Sequence, residues 1–325
     1  MKKYLFLVLG LLMLAACGSD NATDSTNQQV TDEPAATSAP ATEVPQEAEE
    51  VIENEADAQS DEAVAEDYPT AIVSLSPTAT EMLFAIGAGE QVVGVSDYDK
   101  YPANVLELPR VGALLNPDLE RIFKLKPDLV IIYGTQTTLA ERLIAAGIRQ
   151  HPIVHGSIND TLDYILALGH TVGMKTQAER LTTQMNDALE TIRMSAPRKR
   201  SRVVLIHSRE AGNLGSFYSG GGKSFFNELI EIAGGGNIFG DVNDDSIQPT
   251  LEEIFARQPE IIVELLPSSK NKSNQIEQRL KDWNALTVLP AVQQRQVHIL
   301  IGDYLLLVGP RLHLAAKRFA EIIQN

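Results

Sequence analysis

One skeleton occurs twice in this chain. Leu119-Glu120-Arg121-Ile122-Phe123 leads into Pro127-Asp128-Leu129-Val130-Ile131, and 132 residues further on Leu251-Glu252-Glu253-Ile254-Phe255 leads into Pro259-Glu260-Ile261-Ile262-Val263. An amphipathic stretch, a break at proline and an apolar β-branched run predict a short helix that turns into a buried strand. Its recurrence means that the fold holds two similar α/β units, and each needs helices on both faces of its strands. A fainter echo relates Glu81-Met82-Leu83-Phe84-Ala85-Ile86-Gly87 to Glu228-Leu229-Ile230-Glu231-Ile232-Ala233-Gly234.

Around these units, short apolar runs alternate with amphipathic segments. Residues 71–75, 91–95 and 128–133 read as strands, with helices over 80–86, 118–125 and 139–146. The pattern restarts after Arg202: strands at 203–207, 260–264 and 297–301, helices at 223–232, 251–256 and 311–323. Such alternation predicts parallel sheets covered on both faces. Between the halves, Leu181, Met185, Leu189 and Ile192 form one helical stripe, and no Gly or Pro interrupts residues 175–195. The predicted class is therefore α/β: two doubly wound, Rossmann-like lobes joined by a single long helix. The N-terminal lobe is expected over 68–170, the connecting helix over 171–198 and the C-terminal lobe over 199–325.

The beginning of the chain speaks to compartment. Lys2 and Lys3 precede an uncharged apolar run, Tyr4 to Ala16, of 13 residues, shorter than the roughly 20 needed to span a bilayer. Leu14-Ala15-Ala16-Cys17 follows, with the only cysteine of the chain. Together these resemble a lipoprotein signal, which implies a leader over 1–16 and a lipidated Cys17 at the start of the mature protein. Residues 17–67 then read as an acidic, disordered tether: Gly18 to Asp67 contains 15 Asp plus Glu, no Lys or Arg, and few large apolar side chains. As a flexible coil it would span roughly 40 Å. Of the formal charge of −16, the leader accounts for +2 and the tether for −15, which leaves −3 for residues 68–325. No basic face appears, so nucleic acid is not expected as a partner.

The folded part resembles the binding proteins of ABC importers for vitamin B12, ferric siderophores and haem. The resemblance rests on Ile72–Pro77, Thr80-Glu81, Gly94–Pro102, Val111-Gly112, Leu119-Glu120 and Lys126–Val130 in the first half. In the second it rests on Gly234–Phe239, Leu251-Glu252, Arg257 with Pro259, and Gly309-Pro310-Arg311. It implies two lobes on one rigid helix, small closing movements, and a monomer that binds and docks while partner subunits hydrolyse ATP. The ligand it implies is a metal chelate, either a ferric siderophore or a cobalamin-type corrinoid; the partners are ABC permease subunits and the membrane that holds the lipid. The protein would then face the exterior or the periplasm.

Residue by residue, the resemblance makes Glu120 and Glu252 the carboxylates that meet arginines on the permease. Both also fall in the first turn of a helix, where a carboxylate favours the dipole. Thr250 with Glu253 forms a capping box, and Asn116 before Pro117 is expected as an N-cap. Ligands of open α/β sheets lie beyond the carboxyl ends of strands. That rule places Tyr98, Tyr133, Arg209, Tyr218, Asp303 and Tyr304 at the cleft, with Tyr98 in the segment closest to corrinoid binders and Arg209 able to neutralise an anionic group. Aromatic rings suit broad, flat chelates. Tryptophans expected over a corrinoid are missing: Leu114 and Ser246 or Ile247 stand in their places, and Trp283 lies far from the predicted rim. Ala113 replaces the tyrosine that many haem binders carry, which argues against haem through that iron ligand.

Ser219–Ser224 has the look of a phosphate loop, but Phe217 stands where its first glycine is required. A turn of close backbone approach is the better reading. No G-x-S-x-G elbow or H-E-x-x-H occurs, and His151, His155, His170, His207, His298 and His313 are dispersed. No metal or cofactor is expected to reside in the protein, and no enzyme activity. The rival readings are a surface-tethered hydrolase of the same fold and a haem receptor of the same family.

Overall fold

The computed structural model describes residues 67–154, 156–268 and 272–324. The leader, Cys17 and the acidic stretch to residue 66 lie outside the described residues, as does His155.

The first lobe runs β1 (Ile72–Ser74), α1 (Pro77–Ala85), β2 (Val92–Val95), β3 (Gly112–Ala113), β4 (Asn116–Pro117), α2 (Leu119–Lys124), β5 (Leu129–Tyr133), α3 (Thr137–Ala145), β6 (Arg149–Ile153) and α4 (Ile158–Thr171). Its sheet has the order β2-β1-β5-β6 and is parallel throughout. Pro152 is tolerated in β6 because that strand is an edge and owes no ladder bond outward. α1 begins three residues earlier than the sequence suggests, since Pro77 supplies the fixed φ of a first helical position. The expected Asn116 cap is not formed. Asn116 and Pro117 pair with Ala113 and Gly112 in a small hairpin, and Asp118 caps α2 by accepting from the Arg121 amide at 3.1 Å.

α5 (Lys175–Ser195) bridges the halves over 21 residues. Its buried face is Ala178, Thr182, Met185 and Leu189, with Leu181 and Ile192 packed at the margin. Burying one such apolar side chain is worth roughly 1.5–3 kcal/mol.

The second lobe comprises β7 (Ser201–Arg209), β8 (Phe217–Gly220), α6 (Phe225–Ile232), β9 (Gly235–Asn237), β10 (Ser246–Ile247), α7 (Leu251–Arg257), β11 (Ile261–Leu266), α8 (Lys272–Asn284), α9 (Pro290–Gln293), β12 (Val297–Ile301) and α10 (Leu312–Ile323). β9, β7, β11 and β12 pair in parallel, whereas β8 runs antiparallel to both β7 and β10. This sheet is mixed, which the sequence did not signal: Phe217-Tyr218-Ser219-Gly220 is too short and too polar to read as a strand. The glycines that follow are packed against backbone. A Cβ on Gly221 or Gly222 would collide with the carbonyls of Asp244 or Gly240, so the phosphate-loop likeness is a turn of close approach, capped into α6 by Ser224. The expected capping box of Thr250 and Glu253 is present at α7.

One core cluster takes in β1, β2 and β5, helices α1, α4, α5, α6 and α10, and strands β7 and β11. The outer faces of the two sheets have their own cores, one around Val73, Leu75 and Ile122, the other around Phe217, Phe239 and Trp283.

Candidate functional site

The loop after β2 is built as a fixed shelf. Ser96 donates to Asp99 Oδ2 at 2.5 Å, Arg110 Nη1 donates to the carbonyls of Ser96 and Asp99 at 2.7 and 2.9 Å, and the Asp97 amide reaches the Gly112 carbonyl at 3.0 Å. These bonds bury Asp99 and leave the Tyr98 side of the turn outward, with Tyr98 43% exposed. Its amide donates to the Ser96 hydroxyl oxygen at 3.3 Å, so its backbone is held.

Next to the shelf the lobes meet through charge. Arg311, the N-cap residue of α10, donates from Nε and Nη2 to the two oxygens of Glu81 on α1, at 2.9 and 2.7 Å. The guanidinium carbon also lies 3.9 Å from the centroid of the Tyr101 ring and 5.5 Å from that of Tyr304. Glu81 is 4% exposed, and burial pushes its carboxyl above the ordinary range against the pull of Arg311. Burial likewise raises Asp99, despite hydrogen bonds from Ser96 and Thr80. Asp303 and Asp99 both lie near enough to Glu81 to add to its rise.

The residues singled out from sequence do not all come together. Asp303 lies near Glu81 and Tyr304 near Arg311, while Tyr133 lies near Ser76 and Asp99. The Tyr133 phenol is raised by burial and by the nearby Asp99 carboxylate, with the Ser76 hydroxyl 3.5 Å away. Asp303 accepts the Ser268 amide at 2.7 Å, and burial raises the Tyr304 phenol. Tyr98 stands beside this set on its shelf. Tyr218 lies apart on β8, 6.1 Å between centroids from His207, whose pKa burial lowers to about 4.

Arg209 is held inside the second lobe. Its side chain is fully buried: Nε donates to Glu264 at 3.0 Å and Nη1 to Asp282 at 2.8 Å, and the guanidinium lies 5.4 Å from the Trp283 ring. Arg279 also pairs with Glu264, and the Trp283 indole donates to it at 2.7 Å. Its donor arms end on Glu264 of β11, on Asp282 and the Arg279 carbonyl of α8, and on the Glu210 carbonyl. The signal was in the sequence: Glu264 is the one charge in a strand buried along its whole length, so a buried cation had to meet it.

The sequence assigns Glu81, Tyr101 and Arg311 no role beyond the resemblance they carry. A carboxylate set among Thr80, Met82 and Leu83 on a buried helix face was the signal available.

Glu120 and Glu252 occupy the same place in their lobes, the second residue of α2 and of α7. Both are exposed, and neither is paired with another side chain among the described residues. Five residues ahead of each stands an apolar residue, Leu115 in the β3–β4 turn and Ile247 in β10. Among the described residues, no three His, Cys, Asp or Glu side chains converge as a metal site.

The sequence profile of the periplasmic binding protein family matches residues 72–304. The chain belongs to that family. The ABC transporter substrate-binding lipoprotein YvrC of Bacillus subtilis is 28% identical over 276 residues, covering 82% of this chain and 84% of YvrC. The vitamin B12-binding protein of Yersinia pestis is 26% identical, over 77% of this chain and 85% of its own length. The crystal structure of a possible iron-binding periplasmic solute-binding protein from Staphylococcus epidermidis superposes with a TM-score of 0.67 at 27% identity, over 79% of this chain and 99% of that one. This periplasmic binding protein is thus a solute-binding protein of the ABC-importer class, with the α/β fold of its relatives.

Proposed function

We propose that the protein is a lipid-anchored receptor that captures a metal chelate, a ferric siderophore or a cobalamin-type corrinoid, and hands it to an ABC permease. The observation that carries this reading is the pair of exposed, unpaired carboxylates, Glu120 and Glu252, at the same helix position in both lobes. Such a pair offers an importer two fixed acidic points, and matching charge sets register and speeds encounter. The names of the Yersinia and Staphylococcus relatives support the two ligand classes. The tyrosines about the shelf suit a flat, aromatic or chelated surface. Purification from cells followed by mass spectrometry and an absorbance scan for corrin or ferric bands tests the ligand class; repeated recovery of an unrelated solute would overturn it.

Tyr98 is proposed to lie against the ligand. Losing its face removes roughly 0.5–1.5 kcal/mol beyond area burial, so Tyr98→Ala is expected to weaken binding about tenfold. Tyr98→Phe keeps the ring and should cost little, unless the phenolate coordinates iron. Fluorescence titration of both variants separates the cases, and wild-type affinity in Tyr98→Ala would place the pocket elsewhere.

Cys17 is proposed as the lipidated residue. Cys17→Ser is expected to move the protein from the membrane pellet to the soluble fraction, as immunoblots of fractionated cells would record. Retention in the pellet at the wild-type level counts against the anchor.

A further inference from the structure

Glu81 and Glu228 hold matching places in the fainter repeat. Each lies in the first helix of its lobe, six residues before a glycine with positive φ, Gly87 at 86° and Gly234 at 90°. Each carboxylate also leaves its own lobe. Glu81 of the first lobe takes both arms of Arg311, 230 residues away at the start of α10. Glu228 of the second lobe accepts the backbone N–H of Ile158 at 3.2 Å, at the first residue of α4, which packs against α1. One contact runs from the first lobe to the second, and the other runs back.

We propose that these two glutamates are reciprocal clasps that fix the separation of the lobes, with Arg311 as the positioning residue of the cleft. Local neutralisation does not account for them. The α4 N-terminus already has its own capping box, from Ser157 and Asp160, and still draws a carboxylate from the other lobe. Burial disfavours charge on both Glu81 and Glu228, a cost that an exposed rotamer would have avoided. Arg311, locked by two parallel bonds, cannot turn, and it holds Tyr101 from one lobe and Tyr304 from the other against its faces. A bidentate fork of this kind fixes direction as well as distance.

The test is a distance measurement in the full chain carrying Cys17→Ser, with spin labels at Glu141→Cys on α3 and Glu277→Cys on α8, both exposed. With the clasps intact, pulsed electron resonance should give one narrow interlobe distance. Glu81→Ala/Glu228→Ala is expected to broaden the distribution at least twofold. The swap Glu81→Arg/Arg311→Glu should restore it, whereas Glu81→Arg alone should not. Glu228→Gln keeps an acceptor oxygen and should preserve slow exchange of the Ile158 amide, while Glu228→Ala speeds it at least tenfold. An unchanged distribution in the double alanine variant, or no rescue by the swap, overturns the proposal.

Discussion

Removing both proposed docking carboxylates, in Glu120→Ala/Glu252→Ala, is expected to abolish uptake while leaving ligand affinity at its wild-type value. Each side chain projects from the first turn of a short helix, and neither contributes to a cap: Asp118 caps α2, and Thr250 with Glu253 caps α7. Their loss should therefore leave the fold alone. Truncating one partner of a buried interfacial charge pair costs about 2–5 kcal/mol, largely because the other charge is stranded. Two such losses amount to far more than a hundredfold in complex formation. Transport assays with a labelled chelate, beside equilibrium titration of the purified variant, read the two quantities separately. A fall in chelate affinity that matches the fall in uptake would make these glutamates part of the pocket and remove them from the importer face.

Arg209→Ala is expected to unfold the second lobe at markedly lower temperature. Glu264 is 1% exposed and shares its charge between Arg209 and Arg279, while Asp282 takes its ion pair from Arg209 beside hydrogen bonds from the Gly212 amide and Gln278. Deleting one member of a buried ionic cluster costs roughly 3–5 kcal/mol, because the partner is left uncompensated in a low-dielectric site. For a folded region of this size that corresponds to a drop in melting temperature on the order of 10 °C. Chelate binding at low temperature should be unaffected. A variant with normal melting and weakened binding of anionic chelates would instead return Arg209 to the cleft.

How far the sequence could be read depended on whether its signals were local. The repeated Leu-Glu-x-Ile-Phe unit marked α2 with β5 and α7 with β11, because helix amphipathicity and apolar strands are periodic properties of adjacent residues. α5 was legible for the same reason, with its buried stripe only about one residue from that expected. β8 and β10 were not: a four-residue and a two-residue strand carry no period, and the pairing of β8 with β7 and of β10 with β8 is decided at long range. Arg209 shows the same limit at the site. Its position at a strand end pointed to the cleft, but its direction is set by Glu264 and Asp282, 55 and 73 residues on. Arg311 and Glu81, separated by 230 residues, were likewise invisible as a pair. Asn116 failed as a cap for a smaller reason, since the hairpin with Ala113 claimed its backbone first.

The chain passes from one lobe to the other once, as the 21-residue helix α5. A rod cannot fold like a two-strand hinge, and with the proposed clasps added, filling the cleft should do little to the spacing of Glu120 and Glu252. Empty and loaded receptors would then look nearly alike to a permease that senses those two points. Under the proposed function, receptor in excess of its ligand becomes a competitor in the queue for the transporter, and uptake should pass through a maximum as expression rises at fixed supply.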